Sequence, residues 1–235
     1  MKKLFSHPLF YYIFPVLGLG GMGLQFWFLQ SAEDSKGLLT GWHPANTVTY
    51  VLLVAVSVLA FLSAPYIRTP DLRTPIRSIG AALGSVFCAI AAGVLFYNQN
   101  YLVFVLCILS TLSSVYILWS QTSHRKPHYI AYGFFAVCFM FYLISRYRVY
   151  SAEPETARYV FKILALICMM LVFYQQAAIR AGTGRFRSYH FFRCVALFLA
   201  FTAIPSAGNP MLYLFAAIWL LADPLPRPAP KGGRK

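Results

Sequence analysis

The sequence predicts an all-α protein, a polytopic transmembrane helical bundle of eight segments. Its 235 residues are 59% hydrophobic and 17% aromatic, and only 11% are charged. A soluble domain of this length needs far less apolar surface to fill one core. Long stretches also lack charged side chains altogether, and a backbone in lipid must form its hydrogen bonds within a helix. We therefore expect one transmembrane helical domain over residues 1–223.

Six helices follow from the charge-free stretches, because a helix needs about 20 apolar residues to cross a bilayer. The stretch 78–124 is long enough for two helices and divides at the polar triplet "NQN", residues 98–100. The first stretch follows Lys2 and Lys3 as a secretory signal would. It is as long as a full span, however, and no small-x-small cleavage pattern follows it. The predicted helices cover residues 8–30, 45–66, 78–97, 101–120, 128–146 and 157–178.

The last apolar stretch, residues 189–223, contains the sequence "IPSAGNP". Pro205, Gly208 and Pro210 interrupt a helix there, which predicts two short segments and a total of eight. The alternative is one kinked span and a total of seven. Residues 224–235 read "PLPRPAPKGGRK", and their proline, glycine and basic content predicts a disordered tail.

The distribution of basic residues predicts a cytoplasmic N-terminus. Fifteen of the twenty Lys and Arg residues, Arg193 among them, fall on the side that this orientation places in the cytoplasm, where such residues are enriched. An even number of crossings also leaves the basic tail inside, which favours eight segments over seven. We read the net charge of +14 as a signature of topology and of attraction to anionic lipids, and not of nucleic-acid binding.

Small residues recur every four positions in the third predicted helix, at Gly80, Gly84, Cys88 and Ala92. Such a stripe lets a neighbouring helix approach closely. The neighbour is either another helix of the same chain or a second copy in a homo-oligomer, and the pattern leaves both open. The five cysteines lie singly in apolar helices without a CxxC pair, so we read them as small core residues.

The motifs that suggest chemistry lack their structural context. "GLGGMG", residues 18–23, has the spacing of a nucleotide-binding loop but no preceding strand, so its glycines predict helix packing. "HRKPH" places His124 and His128 four residues apart with Pro127 between them, which breaks the helix that a metal site needs. No catalytic motif and no ionisable relay is evident within the spans. The sequence thus predicts no catalytic residue, no metal and no cofactor.

The segment "SRYRVYSAEPETARYVFK" carries the cations of the predicted outer side, including Arg146 and Arg158. Lys162 falls about one turn inside the sixth helix, where a buried ammonium needs a partner. Glu33 and Asp34 in the first outer loop are the candidate partners.

On a helix, Lys162 shares a face with Leu166, Met169, Phe173 and Gln176. Facing inward, Lys162 would stand above a Met-lined cleft with Gln176 at its base, and His43 and Trp42 would form the rim. Such a cleft suits an amphiphile with an anionic head. The alternative is a rim of salt bridges with Lys162 extending outward to the headgroups.

The sequence therefore supports two hypotheses for function. The first is an integral membrane protein that binds, senses or transports a small amphiphile or lipid with an anionic head through an outward-facing site. The second is a non-catalytic scaffold or accessory subunit that binds another membrane protein.

The segment "SRYRVYSAEPETARYVFKILALICMMLVFYQQAAIRAGTGR", with "GLLTGWHPA" before it and "NPMLYLFAAIWLL" after it, resembles a group of small multi-span membrane proteins of anaerobic Gram-positive bacteria. No activity is known for that group, so the resemblance implies no cofactor and no catalytic residue. It implies a multi-pass protein of the bacterial plasma membrane.

Overall fold

The computed structural model describes residues 8–31, 43–66, 74–123, 127–150 and 159–222, and all regular structure in these ranges is helical. A 3-10 turn, Pro8–Tyr12, precedes the first helix. The α-helices are α1 Ile13–Ser31, α2 Pro44–Ser63, α3 Thr74–Tyr97, α4 Tyr101–Thr122, α5 Tyr129–Tyr150, α6 Val160–Arg180, α7 Phe186–Ala203 and α8 Pro210–Ala222. Seven of these helical stretches are long and apolar enough to cross a membrane. The predicted all-α bundle of eight segments is confirmed.

Helices α3 and α6 are each followed by a residue with positive φ that ends the helix. The backbone N–H of Asn100 donates to the carbonyl of Leu95 at 3.0 Å, and Gln99 has a φ of 57°. The N–H of Thr183 donates to the carbonyl of Ala178 at 2.9 Å, and Gly182 has a φ of 89°. Both patterns close a helix through one left-handed residue. The split at residues 98–100 is therefore a true helix end.

The stretch that we expected to form two short segments forms one long and one short helix. Pro205 lies in a 3-10 turn, Ile204–Ser206, that follows α7. Helix α7 begins at Phe186, upstream of the expected start, so the helix and turn together reach 21 residues. Only α8, with 13 residues, is short. At 1.5 Å per residue it rises about 20 Å, less than the roughly 30 Å of a bilayer core.

Helix α7 is the centre of the bundle, packing against α1, α2, α6 and α8. Helix α8 lies next to α3 and α7 and inserts two large aromatic side chains among the helices around it. Phe215 and Trp219 lie with their ring centroids 5.4 and 5.0 Å from that of Phe135 on α5. Phe215 also lies 6.2 Å from Phe173 on α6. The short last helix is thus a core element.

Two of the four glycines in residues 18–23 let α1 approach α7. A Cβ on Gly18 would lie 3.0 Å from the carbonyl oxygen of Phe198, and one on Gly21 would overlap the hydroxyl of Thr202. Gly20 and Gly23 have nothing within 4 Å of an added Cβ. The expected packing role is confirmed for Gly18 and Gly21.

The small-residue stripe of α3 packs within the chain. Gly80 lies against Ala222, and a Cβ on Gly84 would lie 3.4 Å from the ring of Trp219. Cys88 and Ala92, further along the stripe, are buried as well. Because α8 covers Gly80 and Gly84 and Cys88 contacts α4 of the same chain, this part of the stripe is not open to a second copy. The intramolecular alternative agrees with the structure.

We expect Gly18→Ala to destabilise the bundle by about 1–3 kcal/mol, because the new methyl group meets backbone atoms of Phe198 that have little room to move. The matched control is Gly20→Ala on the same helix. It should be neutral or stabilising by up to about 1 kcal/mol, since alanine is the better helix former. Thermal unfolding of both variants in one detergent measures the difference. Equal melting temperatures would contradict the close α1–α7 contact.

Candidate functional site

The predicted outer-side site is only partly within the described residues. His43, Arg146, Lys162 and Gln176 are described, whereas Trp42 and Arg158 lie outside the described ranges. Glu33 and Asp34 also lie outside them. The contact that we expect between the first outer loop and Lys162 or Arg146 therefore stays a prediction.

Lys162 faces the interior of the bundle. It lies in the first turn of α6, and its side chain is 5% exposed. Its Nζ is 4.9 Å from the ring centroid of Tyr159, a distance at which a cation and an aromatic face attract each other. The alternative in which Lys162 extends outward to the headgroups is not the conformation observed.

The face below Lys162 is packed core and not an open cleft. Leu166, Met169, Phe173 and Gln176 share the buried side of α6 with it, as the helical period predicts. All four have 0% exposure, so no solvent-accessible space separates them from their neighbours. The expected Met-lined cleft is therefore filled by side chains, and an apolar tail of a ligand would have to lie elsewhere.

Arg146 lies against the connection between α7 and α8. Its Nε donates to the hydroxyl of Tyr142 at 3.2 Å, and its guanidinium carbon is 5.3 Å from the Tyr142 ring centroid. One terminal nitrogen is 3.2 Å from where a Cβ of Gly208 would be. Glycine at this position makes room for the guanidinium, which stays half-buried.

The structure brings Arg146 and Lys162 to one end of the bundle and places Gln176 far from them. Helices α5 and α6 are consecutive and packed together; Arg146 is four residues before the end of α5, and Lys162 is two residues after the start of α6. Gln176 follows Lys162 by fourteen residues, about 21 Å along the helix axis. A single headgroup cannot contact both Lys162 and Gln176, so Gln176 does not belong to the same headgroup site.

His43 has a structural role that accounts for both ring nitrogens. Its Nδ1 accepts from the backbone N–H of Ala45 at 3.3 Å, which caps the start of α2. Its Nε2 is 3.0 Å from the hydroxyl of Ser31, which donates its own proton to the carbonyl of Trp27 at 2.6 Å. These contacts assign the proton to Nε2. His43 joins the end of α1 to the start of α2, and the rim role that we expected for it remains untested.

Polar side chains also connect α1 and α2 near the end of α1 and the start of α2. Gln25 Nε2 donates to Asn46 Oδ1 at 3.5 Å, and Asn46 also contacts the hydroxyl of Tyr50. The Tyr50 ring lies 4.8 Å from that of Phe161, the neighbour of Lys162. Gln25, Asn46 and Tyr50 thus form a series of contacts that reaches the start of α6 through the Tyr50 ring.

The structure reveals a buried cation that sequence analysis missed. Arg193 has 0% exposure on α7, and its Nε and a terminal nitrogen donate to the carbonyl of Leu220 at 3.1 and 2.5 Å. The Tyr11 hydroxyl donates to the same oxygen at 3.2 Å, and its ring centroid is 4.4 Å from the guanidinium carbon. Leu220 belongs to the last turn of α8, whose carbonyls have no partner within the helix. Arg193 therefore caps the negative end of α8.

This finding adds a role for Arg193, which the sequence suggests only as one of the inner-side charges that set topology. Arg193 and His190 both lie in α7, and both are buried. The available signal was an arginine followed at once by a long apolar run in "HFFRCVALFLAF", since a cation inside such a helix requires a specific partner.

The described residues contain no group of three or more His, Cys, Asp or Glu side chains arranged to hold a metal ion. His128 stacks on Tyr129 with the ring centroids 4.4 Å apart, and the side chain of His128 is exposed. His124, the other histidine of "HRKPH", lies outside the described ranges.

In comparisons with known proteins, the chain matches no family model, no curated protein and no solved structure. The class of protein is therefore defined by the fold alone. Seven helical stretches long and apolar enough to cross a bilayer define a multi-pass membrane protein.

We expect Arg193→Met to destabilise the protein by about 2–3 kcal/mol, because the substitution removes charged donors from a buried helix-end carbonyl. Arg185→Met is the matched control, since Arg185 is exposed at the start of α7 and makes no side-chain capping bond. It should change stability by less than about 0.5 kcal/mol. Unfolding in a common detergent measures both, and equal effects would show that the Arg193 contact contributes nothing specific.

Proposed function

We propose that the protein is a bacterial plasma-membrane protein that binds a small amphiphile or lipid with an anionic head at the end of the bundle holding Arg146 and Lys162. Binding is the step that sensing and transport share. The inward orientation of Lys162 is the observation that carries the proposal. Ionisable residues within membrane-spanning helices are rare and usually functional.

The position of Lys162 within its helix favours an anion beside it. Backbone N–H groups without partners make the first turn of a helix positive, and a cation there is disfavoured. An anion next to Lys162 interacts favourably with both the ammonium and the start of α6. The ring of Tyr159 lies 4.9 Å from the ammonium and attracts it, which holds Lys162 in its inward orientation.

Arg146 supplies a second cation of the kind that recognises a headgroup. A guanidinium forms paired hydrogen bonds with phosphate or carboxylate oxygens. Its Nε is already bonded to Tyr142, which orients the terminal nitrogens beside Gly208. Arg158, which the sequence places four residues before Lys162, is a third candidate contact. Since the interior below Lys162 is packed, the apolar tail of the ligand would lie on the lipid-facing surface.

The test is the retention of anionic lipid by purified protein. The protein is incorporated into vesicles of equal parts phosphatidylglycerol and phosphatidylethanolamine and re-extracted, and the retained lipids are quantified by mass spectrometry. We expect enrichment of phosphatidylglycerol in the wild type and a loss of at least about tenfold in binding for Lys162→Gln combined with Arg146→Gln, which corresponds to about 1.4 kcal/mol. Lys162→Arg should retain most of the enrichment because it keeps the charge.

Arg185→Gln is the matched control, because it removes one exposed cation at the opposite end of the bundle. Its lipid ratio should equal that of the wild type. If the double variant remains folded by size-exclusion chromatography and keeps the wild-type ratio, the proposal fails. A wild type that shows no enrichment, and that instead retains another membrane protein at fixed stoichiometry, would favour the scaffold hypothesis.

A further inference from the structure

Three cysteines that are far apart in sequence meet in the interior of the bundle. Cys88 on α3, Cys107 on α4 and Cys138 on α5 are all at most 1% exposed. The sulfur atoms of Cys107 and Cys138 are 3.4 Å apart. The Cys88 thiol donates to the carbonyl of Cys107 at 3.5 Å and also contacts the Cys107 thiol. Cys107 is thus the central member of a row of three thiols.

The other two cysteines provide a contrast within the same chain. Cys168 on α6 and Cys194 on α7 are free thiols, and neither contacts another sulfur in the described part of the chain. Any chemistry that requires two adjacent thiols is therefore confined to Cys88, Cys107 and Cys138.

A groove between α4 and α5 lies at the surface of the bundle, near the Cys138 side of the thiol pair. Its volume is about 380 Å³, and Leu109, Ser113, Tyr116, Ala131 and Phe134 are among its lining residues. Phe134 precedes Cys138 by one helical turn on the same side of α5, whereas Leu109, two residues from Cys107, points to a different side of α4. The groove therefore comes to within about one turn of Cys138.

We propose that Cys107 and Cys138 form a redox modification site, in which a small, uncharged peroxide converts the two thiols to a disulfide. One thiol sulfur bonds to a peroxide oxygen while the O–O bond breaks, which gives a sulfenic acid and one molecule of water. The second sulfur then displaces the sulfenic hydroxyl, the S–S bond forms, and a second water leaves. Overall, two thiols and one hydrogen peroxide give one disulfide and two waters. The sulfurs need to approach by about 1.4 Å to reach bonding distance.

The third thiol allows the disulfide to move. Cys88 contacts the Cys107 thiol, so it can displace Cys138 by thiol–disulfide exchange and join α3 to α4 in place of α4 to α5. Cys107 is common to both pairings. The site thus has two oxidised forms, each of which links a different pair of neighbouring helices. This inference is independent of the proposed anionic ligand.

The test treats the full-length protein in lipid vesicles with hydrogen peroxide, blocks the remaining thiols with an alkylating reagent, and maps disulfides by mass spectrometry without reduction. We expect Cys107 in nearly all intramolecular disulfides, joined mainly to Cys138, while Cys168 and Cys194 stay alkylated. Cys138→Ser should redirect the bond to Cys88–Cys107, and Cys107→Ser should reduce intramolecular disulfides at least tenfold.

The wild-type measurement decides the proposal by itself, so it does not depend on whether a variant folds. Absence of a Cys107 disulfide at peroxide concentrations that oxidise a surface methionine would overturn it. So would equal oxidation of all five thiols, or conversion of Cys107 and Cys138 to sulfinic or sulfonic acids without a disulfide. Treating Cys168→Ser in parallel gives a matched control, because that variant should form the Cys107–Cys138 bond to the wild-type extent.

Discussion

The contact between Arg193 and the carbonyl of Leu220 is the interaction on which the rest of the bundle depends. Helix α8 is too short to cross the bilayer core, so its last described turn ends among other helices and its terminal carbonyls have to be satisfied by protein groups. Arg193 and Tyr11 supply three donors to one such oxygen. They come from the central helix and from the turn before α1, so one carbonyl connects the first and last parts of the chain.

The opposite end of α8 is also held by a side chain that reaches another helix. Asn209 is fully buried beside the first turn of α8, and its Nδ2 donates to the carbonyl of Ala91 on α3 at 3.0 Å. Arg146 lies over the adjacent Gly208. The position of the candidate headgroup site therefore depends on the break between α7 and α8, although the cations themselves belong to α5 and α6.

Local sequence patterns predicted the helices, the break at residues 98–100 and the buried face of α6, because these features depend on hydropathy and on the helical period. The same period suggested a cleft between Lys162 and Gln176, but it does not show whether neighbouring side chains fill the space beside that face, and here they do. The row of three thiols and the partner of Arg193 were not predictable, because spacings of 19, 31 and 27 residues reflect how helices pair in three dimensions. Such pairings leave no local pattern in a single sequence.

Lys162 and Arg193, both buried among the described residues, lie at helix ends of opposite sign. Arg193 lies at the C-terminal end of α8, where carbonyl oxygens attract a cation, and its contacts there account for its presence in structural terms. Lys162 lies in the first turn of α6, where the N–H groups oppose a cation. The helix end therefore opposes the Lys162 cation and attracts the Arg193 cation. The contacts with α8 explain Arg193 in structural terms, and the proposed anionic ligand would offset the unfavourable position of Lys162.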